Sequence, residues 1–261
     1  MPELPDVETY RRYFDATALH QVIRQVRVPG PELLVETSPQ GLGRALHGAR
    51  FTQTERHGKY LFALLDSGSC LVLHFGMSGN LSYSKSVKSP PQYTQLEIDF
   101  DSNYRLAYRC PRKLGRIALT GSPDDWIRDR DLGPDALRIS EEEFLGRSQK
   151  RHGQVKPWLM DQHQVAGIGN YYSDEILFQS RIHPARSLDD LDESNRKRVF
   201  RAMRTVLKQA IDCDAEPAAL PQSYLLPHRH QDGQCPRCGR DLETQAVGGR
   251  TAWYCPGCQP G

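Results

Sequence analysis

The chain lacks any long hydrophobic run: no apolar stretch in its 261 residues approaches the roughly 20 that a bilayer span requires. Its opening, MPELPDVETYRR, is too charged for a secretory leader. No membrane partner is expected, and the cytoplasm is the expected location. Net charge is also scarce, +2 with a pI near 8.1. Any affinity for nucleic acid must then come from a local patch and not from the field of the whole molecule. One such patch is YRCPRKLGR at 108–116, while acidic residues crowd into 124–135 and 141–143; a solvated charged face explains the pattern equally well. The chain has no internal repeat and no low-complexity segment.

With 38% hydrophobic and 25% charged residues, the chain reads as a globular protein long enough for two domains and a small appended module. Residues 22–119 carry β-rich runs, KYLFALL, CLVLHFGM, TQLEIDF and YRLAYRC, broken by Gly, Ser, Pro and Asp clusters. They predict a strand-dominated domain of sandwich type. Ahead of it, DVETYRRYFDATAL has helical spacing, with charges opposite Val7, Tyr10, Phe14 and Leu19. From Pro134 the texture becomes helical: EEEFLGRSQKRHGQVKPWLMDQ, NYYSDEILFQSRIHP and DESNRKRVFRAMRTVLKQAI place apolar residues three or four apart.

The clearest chemistry lies near the C-terminus. Cys235 and Cys238 form CPRC, and Cys255 and Cys258 form CPGC after the gap 239–254, a spacing that suits one structural zinc held by four thiolates. Four thiolates leave no open position for a substrate water. The intervening residues read as two short strands around a Gly248-Gly249 turn. Two disulfides fit poorly with a chain lacking a secretory signal. Cys70, Cys110 and Cys213 are expected as reduced thiols.

Two further stretches stand out. In VAGIGNYYSDEILF, Gly167 and Gly169 suit a tight turn between helices, and Asn170 stands where an N-cap is expected, with Asp174 and Glu175 in the early turns. A helix N-terminus exposed there would bind an anion; a plain helical corner capped by Asn170 is the equal alternative. At the start, PELPDVET places a proline and a glutamate just behind the initiator methionine. Alone, the fragment is better explained by ordinary packing.

Together, PELPDVET, RHGKYLF around Lys59, HFGMSGNL around Met77, PRKLGR around Arg112, VAGIGNYYSDEILF with Asn170, and CPRC…GGRTAWYCPGCQ resemble the formamidopyrimidine-DNA glycosylase and endonuclease VIII family, nearest the former branch. The resemblance runs over essentially the whole chain, in order. It implies an α+β multidomain fold: an N-terminal catalytic β-sandwich with a flanking helix (1–130), a helix-two-turn-helix DNA-binding domain (131–231) and a four-cysteine zinc finger (232–261). Damaged double-stranded DNA would be held in the cleft between them, by a monomer. An oxidised base would be excised and the abasic site nicked.

The resemblance also implies roles. With Met1 removed, Pro2 presents a secondary amine that attacks the sugar C1′, and Glu3 transfers protons at the sugar ring. Lys59, Asn170 and Arg250 match residues that grip phosphates. Met77 matches the wedge that fills the place of a flipped base, with Leu114 beside it and Arg112 facing the orphaned partner. Without the resemblance, Met77 reads equally as core, and Arg112 and Lys59 as solvated charges. A non-catalytic DNA-binding paralogue would have no use for Pro2 and Glu3; a zinc-ribbon protein of transcription or translation would explain only the last thirty or so residues. Three departures stand out. Leu114 replaces the usual phenylalanine, and Cys110 and Lys113 the usual aspartate and arginine. Residues 209–234 are too short to carry most of the loop that caps a flipped purine. Pro227 and His228 replace a valine-tyrosine pair. A more open base pocket is expected, favouring abasic sites, ring-opened purines and hydantoins over 8-oxoguanine.

Overall fold

The protein is described by a computed structural model covering residues 1–86 and 89–261. Its backbone contacts divide it into two units, Met1–Pro2 with Asp6–Asp131, and Glu3–Pro5 with Leu132–Gly261.

The first unit is built on two sheets. Its strands are β1 (Ile23–Arg27), β2 (Leu34–Val35), β3 (Phe51–His57), β4 (Tyr60–Leu65), β5 (Cys70–His74), β6 (Asn80–Lys85), β7 (Thr94–Phe100), β8 (Tyr104–Arg109) and β9 (Arg116–Thr120). One sheet has the order β1-β7-β8-β6 and the other β2-β9-β5-β4-β3, antiparallel apart from the β2–β9 pair. Strand alternation explains how they form one core. Leu61, Ala63 and Leu65 of β4, Leu71 and Leu73 of β5, Leu96, Ile98 and Phe100 of β7, and Leu106 and Tyr108 of β8 belong to a single buried cluster. Helix α1 (Leu4–Ala18) adds Val7, Phe14 and Ala18 to it, with Tyr10 and Leu19 packed at its margin, as the sequence periodicity predicts.

Every residue of β7 is buried, because its polar face is neutralised. Arg27 and Arg105 reach Glu97 at 2.9 and 3.2 Å and Asp99 at 2.6 and 2.7 Å. The unit also holds α2 (Pro39–Leu46) and α3 (Pro123–Asp129), each capped by a serine, Ser38 and Ser122.

The second unit contains α4 (Glu141–Gln149), α5 (Val155–Met160), α6 (Asn170–Ser180) and α7 (Glu193–Asp212), then the hairpin β10 (Glu243–Val247) and β11 (Arg250–Tyr254). Ser140 and Asp192 cap α4 and α7. The apolar stripes of α6 and α7 meet in one core through Tyr172, Ile176, Leu177, Val199, Met203, Val206 and Leu207. The run EEEFLGRSQKRHGQVKPWLMDQ is split between α4 and α5. A continuous helix would carry Pro157 in its interior, against the carbonyl one turn back; the break at Gly153 (φ +97°) puts the proline in the first turn of α5 instead.

Phe14 is fully buried, with its ring edge-on to Phe51 at 5.0 Å. Phe14→Ala is expected to lower stability by about 3–5 kcal/mol, read as a shift in the urea midpoint at unchanged slope.

Candidate active site

Two of the candidate residues of the second unit, Glu3 and Asn170, lie at the start of α6. Glu3 is fully buried, and its carboxylate accepts the N–H groups of Gly169 (2.6 Å), Tyr171 (2.8 Å) and Tyr172 (3.3 Å). These are the orphan donors of a helix N-terminus, whose dipole favours an anion. The loop before the helix is held ready for this: Gln162 donates to the carbonyls of Met160 and Ile168 and accepts the Gly167 N–H, while Leu4 N–H donates to Gly167 O at 3.0 Å. Two glycines are required sterically. A Cβ at Gly169 would lie 2.5 Å from the Glu3 Cδ, and one at Gly167, where φ is +119°, 2.6 Å from a Leu4 methyl.

This corrects the expected cap. Gly169 occupies the N-cap position and Asn170 is the first helical residue. A full negative charge arriving from 166 residues away makes stronger, charge-assisted bonds than a neutral Asn side chain, so the asparagine is released from capping. Its Oδ1 is buried and accepts no hydrogen bond among the described residues.

One turn further along α6, Asp174 and Glu175 are fully buried. Asp174 takes Lys156 Nζ at 2.5 Å, Arg229 Nη2 at 3.1 Å and the Trp253 N–H at 3.2 Å. Lys156 also donates to Thr251 O, so two members of the cluster hold β11. Burial draws the Asp174 carboxyl up and the Lys156 ammonium down from their ordinary values, and their mutual attraction opposes this. Glu175 accepts from Gln179 and from the N–H of Leu226 at 2.8 Å, fixing the segment after α7. Burial pushes its pKa up to about 7, against those hydrogen bonds.

The hairpin turns through Gly248 and Gly249 at φ +57° and +72°, the paired positive values of a type I′ turn. Arg250 is exposed at the start of β11. The four cysteine sulfurs all lie within 4.8 Å of one another, with Cys235–Cys258 at 3.8 Å and Cys238–Cys255 at 3.5 Å. Zinc–sulfur bonds of about 2.3 Å in a tetrahedron place sulfurs about 3.8 Å apart. The donor set therefore fits one zinc, in a closed, structural site. Phe178 and Leu225 join Cys235 and Cys255 in the small core behind it.

In the first unit, Lys59 stands in the two-residue turn joining β3 and β4, half-buried. Arg56 braces that turn, bonding Gly58 O and, at 3.2 Å, Glu8 of α1. Burial, with the charges of Lys59 and Arg116, pushes the His74 pKa down to about 4, and its Nδ1 accepts the Gly76 N–H. Met77 and Leu114 are 37% and 52% exposed on loops that are tied together. A Cβ at Gly76 (φ +59°) would lie 2.4 Å from Leu114 O, and Arg112 N–H donates to Ser78 Oγ. Arg112 itself is exposed. Pro2 is buried behind an exposed Met1. Sequence reasoning missed Lys156 and Arg229, and took Asp174 and Glu175 only as acids of an early helical turn.

A β-sandwich, a helical block and a four-cysteine finger in this order define a modular architecture with known counterparts. Models of the formamidopyrimidine-DNA glycosylase N-terminal domain, of its H2TH domain, and of the zinc finger found in FPG and IleRS match residues 1–117, 132–220 and 234–261. The formamidopyrimidine-DNA glycosylases of Pelotomaculum thermopropionicum and Thermomicrobium roseum are 32% and 34% identical, over 99% and 100% of this chain and 99% of each relative. Lactococcus lactis Fpg bound to DNA containing an abasic site superposes with a TM-score of 0.89 at 27% identity, covering 99% of this chain and 100% of that one. The same enzyme with DNA containing N7-benzyl-Fapy-dG gives 0.90 at 28%, covering both chains fully. The chain belongs to the formamidopyrimidine-DNA glycosylase family, and its cofactor is a structural zinc. No helix among the described residues is long and apolar enough to cross a membrane.

Two outcomes are expected. Chelation of zinc, or Cys238→Ser, should raise hydrogen exchange across β10, β11 and the start of α6 and weaken DNA binding at least ten-fold, while exchange in β4 and β5 stays unchanged. Glu175 contributes stability that is fully present below about 4.5, its ordinary value, and is lost as pH rises through about 7. Glu175→Gln should remove that decline from the pH profile of the melting temperature.

Proposed function

We propose that the protein is a DNA glycosylase of base excision repair that also cleaves abasic sites, with Pro2 as nucleophile. The observation that carries the reading is the Glu3 carboxylate, buried and clamped by three N–H groups one residue from Pro2 in a chain of this family. Removal of Met1 frees the secondary amine. Its lone pair forms a bond to C1′ of the damaged nucleotide, the glycosidic bond breaks, and its electrons leave with the base; the nitrogen then gives up its proton, its lone pair breaks the C1′–O4′ bond, and O4′ takes a proton by way of Glu3, which opens the sugar. The resulting iminium withdraws electrons from C2′, whose proton is lost as the 3′ phosphate departs; elimination of the 5′ phosphate follows. Glu3, held in one orientation, passes protons at the sugar oxygen.

Lys59, Asn170 and Arg250 contact phosphates, Met77 and Leu114 fill the space of the flipped nucleotide, and Arg112 meets the unpaired base. The exposure of Met77, Arg112 and Leu114 on cross-tied loops supports this. Cys235, Cys238, Cys255 and Cys258 hold the zinc, which stabilises the finger that presents Arg250. The partner is damaged double-stranded DNA. A monomer working in the cytoplasm, divided at about residues 130 and 231, completes the reading.

Lesion choice follows from the segment after α7. Leu220, Tyr224, Leu225 and Leu226 are buried, so this short stretch is consumed in packing and leaves little chain to cap a purine. Ring-opened purines and hydantoins, already poorly stacked, cost less to extrude than 8-oxoguanine.

Borohydride added to the processed protein and abasic duplex should trap a covalent complex whose tryptic map places the link at Pro2; a blocked N-terminus should abolish it. On single-lesion duplexes, abasic and ring-opened sites should be cleaved faster than 8-oxoguanine opposite cytosine. Undiminished cleavage with the N-terminus blocked overturns the mechanism. Binding without trapping would leave a damage-binding protein that lacks catalysis.

A further inference from the structure

Tyr171 stands out at the start of α6 because it is a large aromatic residue left 46% exposed although the rest of α6 from Tyr172 to Phe178 is buried. Its N–H is the one donated to Glu3 Oε1 at 2.8 Å. Its ring is not loose. The Arg229 guanidinium lies over one face, 4.1 Å from the centroid, and Arg229 is itself only 7% exposed, fixed by Nε and Nη2 bonds of 3.1 Å to Asp174. Asp174 already has Lys156 at 2.5 Å, so a second buried cation is not needed to neutralise it. Placing one there costs desolvation. What it provides is a fixed cationic backing to one face of a ring that stays 46% exposed.

We infer that the face of Tyr171 away from Arg229 is the platform on which the extruded base stacks before it is released. The inference rests on the proposed glycosylase reading and deepens it. A base attached to the sugar carbon that reacts beside Glu3 must lie within one base width of the Tyr171 backbone, and an aromatic face accepts any planar base without hydrogen-bond readout. That tolerance suits a protein whose segment after α7 is too short to hold a purine by many backbone donors. Tyr171 is then a specificity-determining residue for damaged bases. The competing role is structural: the ring would merely shield the Arg229–Asp174 pair from water.

The two roles separate on substrates with and without a base. Single-turnover base release from a formamidopyrimidine duplex, divided by the cleavage rate on an abasic duplex, should fall about ten-fold or more in Tyr171→Ala, the size of effect that stacking on an aromatic side chain produces. Tyr171→Leu keeps cover over Arg229 without a flat ring and should fall similarly. Tyr171→Phe should stay within two-fold of the parent ratio. A ratio unchanged in Tyr171→Ala and Tyr171→Leu, or both rates falling in step, overturns the platform and assigns the residue to shielding. Failure of the unsubstituted protein to cleave either duplex would instead overturn the glycosylase reading and the platform with it.

Discussion

A carboxylate seated on the open N–H groups of a helix is the constraint around which the second unit is arranged. Glu3 closes the N-terminus of α6, and the consequences run outward from it. Gly169 has no Cβ because the carboxylate occupies that space, and Gly167 has none because Leu4, the next residue, does. Asn170 is displaced from the cap, which leaves its amide oxygen buried and unpartnered among the described residues. Pro2 precedes Glu3 by one peptide bond. A side chain that satisfies three backbone donors cannot drift, so a group proposed to act on a sugar is fixed by the same bonds that start the helix.

The next turn of α6 repeats the device with different partners. Asp174 gathers Lys156, Arg229 and the Trp253 N–H, and Glu175 gathers Gln179 and the Leu226 N–H. Such buried charges are poor sources of net stability, since desolvation offsets most of their attraction. They are exacting about position, however, because any partner that leaves strands a charge in the interior. The hairpin bearing Arg250 and the segment after α7 are thus referenced to one helix through two adjacent carboxylates. Zinc closes the finger from within, while Asp174 and Lys156 fix where β11 stands.

Much of this order was legible in the sequence wherever its cause was local. The alternation in TQLEIDF places Leu96, Ile98 and Phe100 inward, the spacing of Val7 and Phe14 defines the buried face of α1, and the CPRC and CPGC pairs with their Gly248-Gly249 turn define the finger. The illegible parts are those whose cause lies far along the chain. Nothing near Asn170 signals that Glu3 will take its cap. Nothing near Lys156, in the run VKPWLM, signals its burial, because its partner Asp174 belongs to another helix. The continuous helical pattern across 141–162 concealed a break that Pro157 alone could have announced. Motif resemblance pointed to Pro2 and Glu3 without revealing the N–H groups that hold the Glu3 carboxylate.

The sandwich poses the complementary problem of presenting apolar groups to solvent without letting them collapse. Met77 and Leu114 are exposed although both are large and apolar, which a flexible loop would not sustain. The loops are stiffened instead: Gly76 takes a left-handed conformation pressed against the Leu114 carbonyl, and Ser78 accepts the Arg112 N–H. Two unstacked aliphatic side chains fill a gap by volume, whereas a phenyl ring would also test the bases beside it by stacking. If these residues take the place of an extruded nucleotide as proposed, they stabilise the opened duplex with little preference for its sequence. Discrimination at the opposite base is then left to the hydrogen bonds of Arg112, and discrimination of the lesion to what surrounds it once it has left the helix.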